Sequence, residues 1–196
     1  YHTRIRKLME RAFTAHRVKE LEPRLHAIVR DLVAEFADKG HCDAVRDISQ
    51  PLTIRVIVEQ MGLDHGMEDK IVEWSMAVTA QIGAMQSRET MLANAAKIAE
   101  RQKYLIGKMK DREAEPREDM ISDIVHAQVT NEDGTVEKLT FEEAVSLIRA
   151  MLIAGNDTTA TSIGNLFYVL ATKPGMEDLL ESVAEDLMRF ARERGA

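Results

Sequence analysis

Between Ala144 and Thr172 the chain carries charge at only two positions, Arg149 and Asp157. Leu147, Ile148, Met151, Leu152, Ile163, Leu166, Phe167 and Leu170 recur at helical spacing and occupy several faces at once. A helix of that pattern belongs inside a protein, and burial nearly all round is the expectation. Its limits are marked. Thr140-Phe141-Glu142-Glu143 has the form of a capping box, and Lys173-Pro174-Gly175 breaks the pattern. The span comes to about 50 Å at 1.5 Å per residue. Any fold for this chain has to be assembled around it.

Ala154-Gly155-Asn156-Asp157-Thr158-Thr159 interrupts the apolar pattern. A buried helix has no structural use for such a run. Glycine costs about 1 kcal/mol against alanine, and an unpaired buried carboxylate costs more. Local inconsistency of this kind points to a functional site. Gly155 removes a side chain, so a flat or bulky group can approach the backbone. Thr158 offers a hydroxyl that can bond the carbonyl one turn back or release it. Asp157 brings an exchangeable proton. The alternative is a kinked core helix with a threonine back-bond and an acid reaching solvent.

The remaining sequence is helical nearly throughout, with only 4 prolines and 10 glycines as punctuation. Helices are expected over residues 2–13, 15–39 (Leu21, Leu25, Ile28, Leu32 and Phe36 on one side, Gly40 closing), 51–61 (closed by Gly62), 67–86, 90–112 (cationic on its outer face), 117–129 and, last, to about 194. Asn131-Glu132-Asp133-Gly134 reads as a turn or a short hairpin with Val136. In the first helix His2 and Arg6 lie with the apolar Met9 and Phe13, opposite Arg4, Lys7 and Arg11. A buried Arg needs an anion. His and Arg four residues apart can both reach the carboxylates of one ligand. Exposure at a helix end is the other reading.

Several function classes are excluded or disfavoured. A net charge of −7 argues against nucleic-acid binding. No apolar run reaches the ~18 residues of a membrane span. The lone cysteine, Cys42, cannot build a disulfide framework and fits a reducing cytoplasm. Asp123-x-x-His126 has a metal-like spacing but lacks the further ligands a metal needs, and His41-Cys42 is too isolated for zinc. No metal site is expected. Trp74, Met76, Met85 and Met91 suit either plain core or a plastic apolar pocket.

Ala154-Gly155-Asn156-Asp157-Thr158-Thr159 resembles the central helix motif of the cytochromes P450, the haem-thiolate monooxygenases. His2-Thr3-Arg4-Ile5-Arg6 with Arg11-Ala12-Phe13-Thr14 is similar to the haem-flanking helix of the bacterial members. Cys42-Asp43, then Ile48 and Pro51 to Gly62, resembles a later segment, and the likeness runs in order from Tyr1 to about Glu181. The resemblance implies an all-α chain, the helical middle portion of the cytochrome P450 fold around a long buried central helix. It also implies a single partial domain over residues 1–196. It implies haem b as cofactor, with propionates held by His2 and Arg6, Ala154 and Gly155 beside the cofactor, and Asp157 and Thr158 handling protons. Electrons from NAD(P)H would arrive through a ferredoxin or flavodoxin-type donor, for which Arg4, Lys7 and Arg11 resemble a docking face, a plain solvated basic face being the commoner meaning of such a stripe. The substrate would be an apolar small molecule.

The family's axial cysteine stands in a Phe-x-x-Gly-x-x-x-Cys-x-Gly loop, which these residues do not contain, and Cys42 precedes the central helix. Asp186-Leu187-Met188-Arg189 imitates the family's Glu-x-x-Arg by chance. The expectation is a partial chain, inactive alone, of a haem-dependent monooxygenase. The alternative is a non-catalytic helical module that binds a ligand or a partner.

Overall fold

The computed structural model describes residues 15–83, 86–130, 134–176, 178 and 180–182. The expected helix at 2–13, with His2, Arg6 and the Arg4, Lys7, Arg11 stripe, lies outside the described residues, as do Met85, the 131–133 turn and residues 186–189.

Helix α1 (Ala15–Ala34) buries Ile28 and Leu32 from its predicted face and ends in a 3-10 turn, Ala37–Lys39, closed by Gly40 at φ 68. Pro23 is inside α1, on an exposed turn where its missing N–H faces solvent. Arg24, next in sequence, reaches Glu59 through Nε at 2.7 Å. The chain re-enters helix at Asp43, whose Oδ1 accepts from the backbone N–H of Val45 and Arg46. Ala44–Ser49 is wound as a π-helix and runs into α2 (Gln50–Met61), which Gly62 closes at φ 65.

Helices α3 (Glu68–Ile82) and α4 (Arg88–Ala114) form a hairpin. Ser87 Oγ caps α4 through the Thr90 N–H at 3.1 Å. Along the hairpin Lys70, Lys97, Glu73 and Glu100 interlock in ion pairs, and Trp74 Nε1 donates to Glu100 Oε2 at 3.2 Å. A cationic outer face was expected on α4. Two of its arginines are instead inside, Arg101 at 1% exposure and Arg112 at 2%.

The helix expected over 117–129 is shorter. Asp119 caps α5 (Met120–Val125), and Val129 already belongs to strand β1 (Gln128–Thr130), paired antiparallel with β2 (Val136–Lys138). The β-branched Val129 and Thr130 suit a strand, and the hairpin suggested by the Asn-Glu-Asp-Gly segment supplies their partner. The central helix α6 (Phe141–Thr172) has the predicted limits and the capping box: Glu143 N–H donates to Thr140 Oγ1 at 3.2 Å, and Thr140 N–H to Glu143 Oε2 at 2.8 Å.

The core gathers Ile54, Val58 and Met61 from α2, Ile71 and Trp74 from α3, Leu105 and Met109 from α4, Ile121 from α5, and Ile148 and Leu152 from α6. Burial of α6 runs from Ala144 to Asn156 only. From Asp157 to Thr172 every residue of α6 is exposed or half-buried, so the all-round burial expected from its apolar pattern does not hold among the described residues. The helices packed on α6 bury its N-terminal half, and of its C-terminal half the Ala44–Ser49 π-helix approaches the side that carries Gly164.

Candidate functional site

The Ala154–Thr159 motif does not break α6; the helix passes through it without interruption. At 100° per residue its side chains divide between two sides. Ala154, Thr158 and Ser162 follow at four-residue steps, and all three are exposed. Asn156 and Asp157 turn toward α2 and α3.

Small side chains make the first side nearly flat. Thr158 Oγ1 donates to the Ala154 carbonyl at 2.5 Å, and Ser162 Oγ to the Thr158 carbonyl at 2.8 Å. Each hydroxyl is thereby satisfied by its own helix yet sits at an open surface, ready to exchange its acceptor for a ligand or water. Gly155 flanks this strip and is exposed. A Cβ there would meet Ile57 Cδ1 at 3.2 Å, so the missing side chain also lets α2 approach α6.

The second side is a polar chain across three helices. Thr53 Oγ1 on α2 donates to Asn156 Oδ1 at 2.8 Å; Asn156 is 2% exposed. Asn156 Nδ2 donates to Asp157 Oδ1 at 3.2 Å, and Thr79 Oγ1 on α3 donates to Asp157 Oδ2 at 2.6 Å. Asp157 is thus a half-buried acid with two hydrogen-bond donors. It borders an open groove of about 800 Å³, mostly apolar, lined by Thr79, Ala80, Asn156, Ala160, Gly164 and Tyr168 among others.

The structure therefore places Ala154, Gly155 and Thr158 beside one another and sets Asp157 on an adjoining side. His2 and Arg6 lie outside the described residues. Sequence reasoning passed over Thr53 and Thr79, which hold Asn156 and Asp157. Nothing in their local sequence marks them, because their partners are 103 and 78 residues away. Asn156 did carry a signal, as an amide in an apolar helix.

Other suggested residues resolve simply. Trp74 is core at 1% exposure and stacks obliquely on Tyr104, with ring centroids 5.4 Å apart. Met76 and Met91 are exposed at 65% and 53%. His126 Nε2 lies 2.9 Å from the Arg112 carbonyl, to which it can only donate. His41 Nδ1 makes a similar contact with the Lys39 carbonyl, also at 2.9 Å. Cys42 is a free, exposed thiol. Among the described residues no helix is long and apolar enough to cross a membrane.

The exposed strip carries small groups one turn apart, with no charge among Ala154, Gly155, Thr158 and Ser162. The profile of the family described as Cytochrome P450 matches residues 74–191. A putative cytochrome P450, YjiB of Bacillus subtilis (strain 168), is 29% identical over 96% of this chain and 49% of its own length. The mycinamicin IV hydroxylase/epoxidase of Micromonospora griseorubida is 31% identical over 96% of this chain and 47% of its own. The crystal structure of P450BioI, in complex with an acyl carrier protein ligated to hexadec-9Z-enoic acid, superposes with a TM-score of 0.76 at 28% identity, covering 92% of this chain and 44% of that one. The chain spans about half the length of the curated relatives it matches.

Proposed function

The chain belongs to the cytochrome P450 family, and from that membership we propose that it forms the oxygen-side portion of a haem-dependent monooxygenase domain. The observation that carries the proposal is the exposed strip of Ala154, Gly155 and Thr158 on a helix whose opposite side is packed core. Haem, when bound, supplies the activation of dioxygen, one atom of which enters an apolar small molecule while the other leaves as water.

The chain's own residues would act as follows. Ala154 and Gly155 present no side chain large enough to hold a flat ring away from α6. His2 and Arg6 would hold the propionates through charge-assisted hydrogen bonds. Thr158 Oγ1, bonded to the Ala154 carbonyl at 2.5 Å, can release that acceptor and donate its proton into the open face. Asp157 Oδ2, held by Thr79, would relay protons from the groove side. Arg4, Lys7 and Arg11 would dock an acidic ferredoxin or flavodoxin-type donor carrying electrons from NAD(P)H, with the protein working in the cytoplasm.

The test is Thr158→Ala in the haem-loaded full-length protein. Haem uptake should be retained, while product formed per NAD(P)H oxidised falls several-fold and the balance leaves as hydrogen peroxide. Unchanged coupling would remove Thr158 from the mechanism. Arg6→Ala, and less strongly His2→Ala, should speed haem transfer to an apo-globin. A double variant that releases haem no faster than wild type would remove helix 2–13 from the cofactor.

A further inference from the structure

Thr53 Oγ1 has one proton to give and three acceptors within reach. Asn156 Oδ1 is at 2.8 Å, the Gln50 carbonyl at 3.0 Å and the Ser49 carbonyl at 3.1 Å. The two carbonyls lie where the π-helix runs into α2, a kind of junction that recurs at functional sites. Thr53 and Asn156 are 5% and 2% exposed, so their partners come from the protein and not from bulk water. The hydroxyl can leave Asn156 for a backbone carbonyl without becoming an orphan.

Asn156 transmits that choice. Its amide has a donor end and an acceptor end, and its terminal torsion is soft and roughly two-fold. With Oδ1 toward Thr53, Nδ2 points at Asp157 Oδ1, 3.2 Å away. This arrangement suits an Oδ1 that carries no proton. After a half-turn of the amide, Nδ2 would donate to Thr53 Oγ1, and the Thr53 hydroxyl to the Gln50 or Ser49 carbonyl. Asn156 Oδ1 would then face Asp157 Oδ1. Two bare acceptors repel, so the second arrangement needs a proton between them. Thr53 Oγ1, the amide and Asp157 Oδ1 each keep a partner in both states, as buried polar groups require. Asp157 Oδ2 takes its donor from Thr79 in either case. Among the residues lining the groove Asp157 is the only charged one and Tyr168 the only other titratable one.

We infer that Thr53 and Asn156 are positioning residues that decide which oxygen of Asp157 carries a proton. With the amide N–H toward Asp157, a proton taken from solvent in the groove sits on Oδ2, beside Thr79, from where it can leave. With the amide turned, the proton is parked on Oδ1 in the buried seam. Uptake turns the carboxylate into a carboxyl; the half-turn and the hydroxyl rotation break and remake hydrogen bonds only. The effect on turnover rests on the proposed relay through Asp157, and the coupling itself on the contacts alone.

The test has two arms in the haem-loaded full-length protein. Neutron diffraction from deuterium-exchanged crystals reads the amide and the hydroxyl directly, whether or not turnover occurs. At neutral pH deuterium should lie on Asn156 Nδ2 toward Asp157 and on Thr53 Oγ1 toward Asn156. In a crystal acidified until Asp157 is protonated, deuterium should appear on Oδ1 with the amide turned. An unturned amide with deuterium on Oδ2 alone would overturn the inference. In the second arm Thr53→Val, with its unfolding midpoint checked, leaves one end of the amide bare in either orientation. It should lower NAD(P)H-driven turnover about tenfold, the scale of one hydrogen bond. Thr53→Ser keeps the hydroxyl and should restore the rate. In an Asp157→Asn background Thr53→Val should lower turnover no further, because both act through one carboxylate. No loss in Thr53→Val, or an equal loss in both backgrounds, would overturn the positioning role. A turned amide in the acidified crystal together with full turnover in Asp157→Asn would support the coupling and sink the relay.

Discussion

Thr79 Oγ1 donates to Asp157 Oδ2 at 2.6 Å, tying the middle of the central helix to α3 across 78 residues of sequence. The same carboxylate takes its second donor from Asn156, which Thr53 holds in turn at 2.8 Å. The acid of the motif is thus oriented by two other helices while its neighbour Thr158 is left at an open face.

This arrangement separates proton handling from support. Asp157→Asn keeps an oxygen that can accept from Thr79, so the unfolding midpoint should hold. Turnover of the haem-loaded full-length protein should nevertheless fall about a hundredfold, the lower range for loss of a general acid or base. Thr79→Val should behave oppositely, with stability lower by about 1 kcal/mol or less and turnover within a few-fold. Steady-state rates and urea unfolding of the two variants decide it; an Asp157→Asn protein with full turnover would exclude the acid from the relay.

Arg112 and Asp119 form a buried pair, Nε to Oδ2 at 2.5 Å, and Arg112 Nη2 also donates to the Gly62 carbonyl at 2.6 Å. Asp119 Oδ1 meanwhile caps α5 through the Ser122 N–H at 2.8 Å. Arg112→Met leaves that carboxylate buried without a counter-charge and should cost about 3–5 kcal/mol. Gly62→Ala should also destabilise, by at least about 1–3 kcal/mol for the left-handed backbone. Its φ is 65, and a Cβ would stand 2.2 Å from Asp119 Oδ2. Urea unfolding gives both values, and a loss under about 1 kcal/mol for Arg112→Met would show the pair to be peripheral.

Tyr104 gives a pH dependence. Its hydroxyl donates to Asp64 Oδ2 at 3.0 Å, and burial, reinforced by that bond, raises its pKa to about 12. Asp64 moves the other way: the Lys108 ammonium, bonded at 2.6 Å, and then the Tyr104 hydroxyl hold its carboxyl below the usual range. For the phenol the folded value lies above the unfolded one of about 10. The stability it contributes is therefore complete below pH ~10 and is lost as pH rises toward about 12. Tyr104→Phe should flatten that part of the alkaline stability curve. Tyrosinate absorbance during titration should show one late-ionising phenol in wild type that the variant lacks; a wild type whose phenols all ionise together near pH 10 would contradict the burial argument.

Patterns that repeat within a few residues were legible without coordinates. The capping box at Thr140 and Glu143, the stop at Lys173-Pro174-Gly175, the buried face of α1 and the left-handed closures at Gly40 and Gly62 depend on neighbours three or four positions away. The strand at Val129 was read as helix because a two-stranded hairpin draws on a partner in the next segment.

The sequence alone determined that a long apolar helix carries a Gly-Asn-Asp-Thr interruption, since charge, size and helical spacing are properties of the chain itself. Tertiary structure decided which side of the interruption is open. It brought Ile57 against Gly155, Thr53 against Asn156 and Thr79 against Asp157, and it took Arg101 inside. A hydroxyl or a guanidinium reads the same in sequence whether it meets water or another helix. Its partner is fixed only when helices far apart along the chain pack to bury their apolar faces, and the polar groups at the seams take whatever that packing puts beside them.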